Sequence, residues 1–271
     1  MSSPTMAPGA ATRTAQGRGV RPLVRHSLAL SRRNLRKAVA SPGQIIDATL
    51  MPVTLSLVFI YGFGGAIAGD SAQYRQYLMP GIMALTLTTT CRTSGIALNM
   101  DFASGVMDRY RSMPVARSAV LIGRILADAV RVLAGLLMVL AFGFLIGFRV
   151  HTSVAATVAA VGVLLLYGVA LCLLQAFIGL AARGMETVQS VSTLAMVPLQ
   201  FGSSIFVAPD TMPSWLRVFV ENNPMTMVVD AARNLMVGGP VAHSALMAVA
   251  WSVGFIAVFT PLCVAKYRTR A

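Results

Sequence analysis

Six long blocks of apolar residues dominate this sequence, and short polar or basic segments separate them. The blocks lie at about 44–66, 78–98, 119–147, 154–181, 188–206 and 244–264. About 20 apolar residues in a helix cross the hydrocarbon core of a bilayer. Only 11% of the residues are charged, whereas roughly a quarter are charged in a soluble domain. The pattern predicts an all-α integral membrane protein with six transmembrane helices.

The distribution of basic residues predicts the orientation of these spans. Of the 22 lysines and arginines, 16 lie before the first span, after the second span, between the fourth and fifth spans or in the C-terminal tail. Four lie in the other connections, and two lie within spans. Positive residues favour the cytoplasmic side. We therefore expect a multi-pass protein of the plasma membrane with both termini in the cytoplasm, and no nucleic-acid partner for the net charge of +13.

The segments outside the spans divide the chain further. Residues 1–21 are polar and lack an apolar region, which predicts a disordered cytoplasmic tail. Residues 22–43 interleave leucines with arginines, as in an amphipathic helix that lies in the headgroup layer. A simple topogenic charge cluster is the alternative. The transmembrane domain then covers 44–265, and 266–271 form a second cytoplasmic tail.

The connection between the second and third spans has the pattern of a short helix. Phe102, Val106 and Tyr110 recur at four-residue intervals on one face, and Pro114 would end the helix before the third span. A rigid helix joined to two spans would transmit a mechanical push to them. By composition alone, an ordinary solvated loop explains the segment equally well.

The stretch 207–243 predicts two short helices on the outer side, at about 213–221 and 224–237. Thr211 and Asn223 are candidate caps, and Gly238 is a candidate stop. The second helix has an apolar stripe that includes Val228 and Ala232. We therefore expect a re-entrant helical hairpin, buried in protein, between the fifth and sixth spans. A mobile surface loop is the alternative.

Polar residues within the spans are candidates for a substrate path. Arg92 is a charge inside the second span, where charges are costly and commonly face a cavity or a partner. It would equally well reach the headgroup layer by snorkelling. The other candidates for the path are Thr86, Thr89, Thr90, Thr93, Gln200 and Ser203.

Arg124, Asp128 and Arg131 form a second polar group, on one face of the third span. Asp128 lies within pairing distance of either arginine along the helix. We interpret the three as a structural charge cluster, because the membrane penalises isolated charges.

Several chemistries have no sequence support. No GxxxxGK[ST] loop occurs, since Lys37 and Lys266 are the only lysines and neither follows a glycine. The three cysteines are dispersed, which predicts neither a metal site nor a structural disulfide. No catalytic constellation suggests an intramembrane enzyme. We expect no cofactor in this chain, and any ATP that drives it must bind elsewhere.

Two blocks carry a family resemblance. GVMDRYRSMPVARSAVLIGRILADAVR and FVAPDTMPSWLRVFVENNPMTMVVDAARNLMVGGP resemble the corresponding segments of ABC-2 type transporter permeases, in particular the membrane subunits of daunorubicin/doxorubicin-resistance exporters. The similarity extends from about residue 22 onward. It implies one half of a permease dimer, with a connecting helix in 22–43 and a coupling helix at 101–117. The residues implied for coupling to the ATPase are Asp101, Phe102, Val106, Asp108, Arg109, Tyr110, Arg111, Pro114 and Arg117, with some of 23–37.

The resemblance implies export of a hydrophobic drug or antibiotic by alternating access. Its expected partners are two copies of a separate ATPase that binds ATP and Mg²⁺, a second permease copy or a paralogue, the lipid bilayer and the cargo. One alternative keeps the fold but exports a lipid or glycolipid. Another is a secondary transporter that works without an ATPase, although such proteins commonly have intramembrane carboxylates, and only Asp47 and Asp128 are candidates here.

Overall fold

A computed structural model describes residues 42–65, 69–104 and 117–270. The predicted tail 1–21, most of the predicted connecting helix 22–43 and most of the predicted coupling helix lie outside these residues. The described chain is helical, without strands. Its helices are α1 (Pro42–Leu57, continued by the π-helical turn Val58–Phe63), α2 (Ser71–Ala103), α3 (Arg117–Leu145), α4 (Val154–Ala181), α5 (Met185–Phe201), α6 (Ser214–Glu221), α7 (Pro224–Val237) and α8 (Ala242–Arg270).

Helix α2 is longer at both ends than the apolar block it contains. The carboxylate of Asp70 accepts a hydrogen bond from the backbone N–H of Ala72 at 2.9 Å and so caps the helix. The apolar block placed the start of the second span at about residue 78, seven residues after the helix begins, because apolarity marks one part of a helix rather than its ends. At its other end α2 continues to Ala103. Asp101 and Phe102 thus belong to its last turn and do not begin a separate helix.

The fifth predicted span also differs from the structure. Helix α5 ends at Phe201 instead of continuing to 206, and the N–H of Gly202 bonds to the carbonyl of Pro198. The chain then turns inward, and Ser203, Ser204 and Ile205 are all buried. This short segment, 202–206, is covered by its neighbours instead of forming a last helical turn.

Helices α2 and α4 occupy the centre of the bundle. Helix α4 packs against α2, α3, α7 and α8, and every residue of α2 from Leu78 to Thr88 is buried. The two helices approach closely where they cross. A Cβ atom on Gly179 would lie 2.3 Å from the carbonyl oxygen of Gly95, and one on Gly95 would lie 2.5 Å from that of Gln175. Only glycine allows these backbones to meet.

Three of the described helices are long and apolar enough to cross a membrane: Gly123–Leu145, Val154–Ala181 and Ala242–Tyr267. Leu50–Phe63 forms a shorter apolar helix. Helix α5 has only 17 residues, and α2 carries threonines and Arg92 within its buried length. The number of six spans stays a prediction.

The region between α5 and α8 contains the two predicted helices. Asn223 caps α7, since its side-chain oxygen accepts from the N–H of Met225 at 2.9 Å, which confirms that prediction. The Thr211 cap was wrong, because α6 begins after Pro213 without a side-chain cap. Helix α7 ends at Gly238, whose φ of 109° favours glycine. Three residues of its apolar stripe, Val228, Ala231 and Ala232, are fully buried, and the fourth, Leu235, is partly buried.

The bundle has two distinct ends. At the first, which we call the Phe102 end, α2, α4 and α8 finish and α3 begins. At the second, the Arg149 end, lie the start of α2, the connection between α3 and α4, and the segment 202–240.

Candidate functional site

A half-exposed stripe emerges on α2 toward the Phe102 end. Although every residue of α2 from Leu78 to Thr88 is buried, its side chains at 89, 92, 93 and 96 are partly exposed, and Met100 is exposed. These positions recur every three or four residues and so lie on one helix face. Arg92 is in the middle of this face. The bundle therefore leaves one side of its central helix uncovered where the sequence places a charge.

The threonines of α2 divide into two groups. Thr86 and Thr90 are buried and face Gly135 of α3, where a Cβ atom would lie 3.4 Å from the Thr86 methyl and 3.7 Å from the Thr90 hydroxyl. Thr89 and Thr93 lie on the half-exposed stripe and donate hydrogen bonds to carbonyls three residues earlier. The structure thus places only two of the four candidate threonines beside Arg92.

Helix α5 contacts α2 along the same side. The side-chain amide of Gln200 donates a 2.5 Å hydrogen bond to the hydroxyl of Thr88, one turn before Arg92. One turn after Arg92, Ile96 packs against a cluster that contains Val188 of α5. These two contacts place Arg92 at the level of the middle of α5. The exposed side chains of α5 are mixed: its first half includes polar residues such as Gln189 and Thr193, and its second half exposes Leu194 and Val197.

Two other candidates for the path lie away from the stripe. Ser203 is buried and donates to the carbonyl of Gln200 at 2.5 Å. Buried polar contact between α4 and α5 comes instead from Ser192, which donates to the side-chain oxygen of Gln175 at 2.6 Å. The amide nitrogen of Gln175 is buried without a hydrogen-bond partner among the described residues. Gln175 and Ser192 lie 17 residues apart on different helices, so no local sequence signal pairs them.

The charge cluster of α3 is divided between two carboxylates. Arg131 pairs with Asp128 at 2.5 Å, and the hydroxyl of Ser94 in α2 donates to the same carboxylate. Arg124 instead pairs with Asp101 at 3.2 Å and donates to the Ser94 carbonyl at 2.6 Å. Both arginines thus connect α3 to α2. Asp128, 6% exposed, has a counter-charge and a hydroxyl donor.

The end of α2 is held by contacts from three other helices. The Asp101–Arg124 ion pair joins it to α3, and the ring of Phe102 lies edge-on to Tyr267 of α8 at 5.5 Å between centroids. Asn99 donates to the carbonyls of Gly179 and Ala182 at the end of α4, at 3.0 Å each. The ring of Phe102 thus packs within the chain. The remaining coupling candidates, from Val106 to Pro114, lie outside the described residues, and the Arg117 side chain is not described.

A polar cluster at the Arg149 end was not found from the sequence. Arg233 of α7 pairs with Asp230 at 2.5 Å, donates to the carbonyls of Tyr77 and Ser204 at 3.1 and 2.8 Å, and lies 3.7 Å from the centre of the Tyr77 ring. The Ser204 hydroxyl donates to Asp230 at 2.7 Å. The i, i+3 spacing of Asp230 and Arg233 is typical of an ion pair on one helix face, but no sequence signal indicates Tyr77 or Ser204.

Hydrogen bonds from Tyr74, Tyr77 and Asn223 hold the segment 202–206 beside this polar cluster. The Tyr74 hydroxyl donates to the Phe206 carbonyl at 2.9 Å, and burial raises the pKa of Tyr74 to about 12, so that it stays protonated at neutral pH. The Tyr77 hydroxyl donates to the Ser204 carbonyl at 2.9 Å. Asn223 donates to the Gly202 carbonyl at 2.5 Å. The start of α2, the end of α5 and α7 therefore form one hydrogen-bonded unit.

Comparison with known proteins decides what this bundle is. The family model described as ABC-2 type transporter matches residues 25–237. The chain belongs to the ABC-2 type transporter family. This confirms the resemblance stated from the two sequence blocks.

The relatives of this ABC-2 protein are permeases named for drug resistance. It is 34% identical over 262 residues to the daunorubicin resistance ABC transporter permease protein DrrB1 of Streptomyces coeruleorubidus, covering 95% of this chain and 93% of that protein. Two proteins of Mycobacterium tuberculosis are also similar. One is named "Probable doxorubicin resistance ABC transporter permease protein DrrC" (25% over 217 residues; 79% and 78% covered) and the other "Doxorubicin resistance ABC transporter permease protein DrrB" (26% over 213 residues; 74% of each).

Proposed function

We propose that this chain is the membrane-spanning permease subunit of an ATP-driven exporter whose ATPase is a separate polypeptide. Membership of the ABC-2 family is the observation that carries the proposal. Because the sequence has no P-loop to cradle nucleotide phosphates, ATP and Mg²⁺ would bind to the partner. The assembly would contain two permease subunits, identical or paralogous, and two ATPase subunits. It would lie in the plasma membrane with six spans per permease and with both termini and the Phe102 end in the cytoplasm.

The connection 105–116 is the proposed contact with the ATPase. It leaves α2 after a turn held by the Asp101–Arg124 ion pair and the Phe102–Tyr267 ring contact. A push on the connection would therefore move the ends of three helices together rather than bend one of them. We assign the contact to Val106, Asp108, Arg109, Tyr110, Arg111, Pro114 and Arg117, with part of 23–37. Phe102 is left out because its ring packs against Tyr267 within the chain.

The half-exposed stripe of α2 is the proposed lining of the cargo path. Thr89, Arg92 and Thr93 lie on it beside α5, whose second half exposes Leu194, Val197 and Phe201. This combination suits a cargo with a large apolar body. The names of the relatives favour a hydrophobic drug or antibiotic. Thr86, Thr90 and Ser203 are buried in contacts within the chain, which favours a structural role for them. Alternating access would expose the stripe first to one side of the membrane and then to the other.

An ATPase-independent secondary transporter receives less support. Such a mechanism commonly uses a carboxylate inside the membrane that gains and loses a proton. Asp128 is bound by Arg131 and by the Ser94 hydroxyl, so that a protonation cycle would have to break an ion pair and a hydrogen bond. This arrangement suits a fixed structural carboxylate.

Co-expression with the cognate ATPase tests the proposal. We expect the purified permease alone to hydrolyse no ATP, and membrane vesicles containing both proteins to accumulate at least one compound of a panel of hydrophobic drugs only with ATP. A partner with its Walker lysine replaced is the control and should abolish uptake. Hydrolysis by the isolated permease, or equal uptake without the ATPase, would contradict the proposal. Uptake of a fluorescent lipid but of no drug would favour the lipid exporter.

A further inference from the structure

Arg92 lies in the middle of α2 and differs from three other arginines of the bundle. Arg124, Arg131 and Arg233 each pair with a carboxylate at 3.2 Å or less. In the described part of the chain, Arg92 has neither an ion pair nor a hydrogen bond to a side chain or carbonyl. The fold therefore neutralises these three arginines. It leaves two partly exposed arginines of α2 without a counter-charge: Arg75, near the start of the helix at the Arg149 end, and Arg92, on the half-exposed stripe.

An uncompensated charge at this depth has to be balanced by another group. Arg92 follows Ser71 by 21 residues and precedes Ala103 by 11 within one continuous helix, so it is far from both helix ends. A guanidinium stays charged in proteins and presents donors that match carboxylate or phosphate oxygens. Placing such a charge in apolar surroundings is costly. An anion that binds beside Arg92 therefore has a stronger electrostatic attraction to it than it would have in water.

The surroundings of Arg92 favour an anionic group over a cationic one. Thr89 and Thr93 already donate their hydroxyl protons to carbonyls of α2, so Arg92 is the principal hydrogen-bond donor on the stripe. Among the described residues, α5 carries one acid, Glu186, in its first turn, and its middle holds uncharged residues only. A cationic head placed here would meet Arg92 without a neighbouring carboxylate.

We propose that Arg92 selects a cargo with an anionic head group, a carboxylate or phosphate, on an apolar body. The inference rests on the proposed export function and adds the chemical class of the cargo. The head would bind at Arg92 while the apolar body lies against the stripe and the exposed side chains of α5. A lipid headgroup phosphate would satisfy the same guanidinium, so the test has to separate that source from the cargo.

Three probes that differ only in the head group test the charge preference. They are dansylaminoundecanoic acid, its uncharged carboxamide and the corresponding dansyl alkylamine, offered to proteoliposomes that contain the permease and its ATPase. We expect ATP-dependent transport of the acid with a KM about tenfold lower than that of the amine, the ratio expected of one charge-assisted hydrogen bond. Arg92→Lys should retain the preference, Arg92→Gln should abolish it, and Arg92→Glu should reverse it.

Two controls assign the effect to Arg92. Arg149→Gln removes an exposed arginine at the Arg149 end, far from the stripe, and should leave the preference unchanged. Comparing vesicles of pure phosphatidylcholine with vesicles that contain phosphatidylglycerol separates cargo from lipid. The preference for the acid should be the same in both. A preference that appears only with the anionic lipid would assign Arg92 to a lipid phosphate and overturn the proposal.

The remaining outcomes are also decisive. If the wild-type protein transports all three probes with one KM and Arg92→Gln behaves the same, Arg92 does not select the charge, while ATP-driven export stands. If the wild-type protein transports none of the probes yet exports doxorubicin, the cargo class is wrong. Absence of ATP-dependent transport of every compound would overturn the proposed function together with this inference.

Discussion

The guanidinium of Arg233 lies 3.7 Å from the centre of the Tyr77 ring and donates to the Tyr77 carbonyl at 3.1 Å. These residues are 156 positions apart, and their contact joins α7 to the start of α2. The same guanidinium bonds to Asp230 and to the Ser204 carbonyl. One side chain thereby connects three segments at the Arg149 end.

Replacing Arg233 should therefore destabilise the protein. Arg233→Met removes the ion pair, two hydrogen bonds and the ring contact, and leaves Asp230 without its cation. We expect a loss of roughly 2 kcal/mol or more in stability, measured as a lower Tm of the purified protein in detergent. Arg217→Met is the control, since Arg217 pairs with Asp210 and Glu221 at exposed positions, where about 1 kcal/mol or less is expected. Equal Tm values for both variants would contradict a stabilising role for the cluster.

The close approach of α2 and α4 where they cross leads to a second prediction, which concerns stability. Gly179→Ala would place a Cβ atom 2.3 Å from the Gly95 carbonyl oxygen, so the helices must separate, and overpacking of this kind costs about 1–3 kcal/mol. Gly162→Ala on the same helix meets nothing within 4 Å and should be neutral or slightly stabilising. Folded yield on size-exclusion chromatography and Tm measure both. A well-folded Gly179→Ala protein would show that this crossing is looser than described.

The Asp128 cluster can be tested with a double variant. Asp128→Asn should lower the Tm because it leaves the Arg131 guanidinium, one quarter exposed, without its counter-ion. Adding Arg131→Gln should restore part of the loss, since both charges are then gone. If the cluster is structural, export per folded molecule stays at the wild-type level in the double variant. Loss of export from a stable double variant would assign the cluster to the transport path instead.

The proposed contact between the connection 105–116 and the ATPase leads to a fourth prediction. Tyr110→Ala should reduce recovery of the ATPase in a pull-down more than Arg111→Ala, because buried aromatic anchors dominate such contacts, with losses of about 2 kcal/mol or more, whereas charges at the rim contribute less. Wild-type recovery and drug efflux in both variants would show that the connection is not the contact.

Pro114→Gly tests the stiffness of the same connection. Proline restricts φ just before α3, whereas glycine frees it. We expect the complex to assemble normally but drug efflux per ATP hydrolysed to fall. Efflux and hydrolysis measured on one vesicle preparation give that ratio, and an unchanged ratio would exclude a stiff joint at Pro114.

The sequence by itself determined the membrane class and the family, because composition and the spacing of apolar blocks are local properties of the chain. It also predicted α7 and its Asn223 cap, for the same reason. It did not determine the limits of α2, since Asp70 and the last turn at Asp101 extend the helix beyond its apolar part.

Tertiary structure alone decided which groups meet. Asp128 had two arginines within reach on its own helix, and it pairs with Arg131 because Asp101 and the Ser94 carbonyl of α2 bind Arg124. The Tyr77–Arg233 contact likewise has no local signal, because it depends on how distant helices pack. The same holds for Arg92. The sequence places a charge within the second predicted span, and only the packing of α2 and α5 leaves it on an open face without a carboxylate.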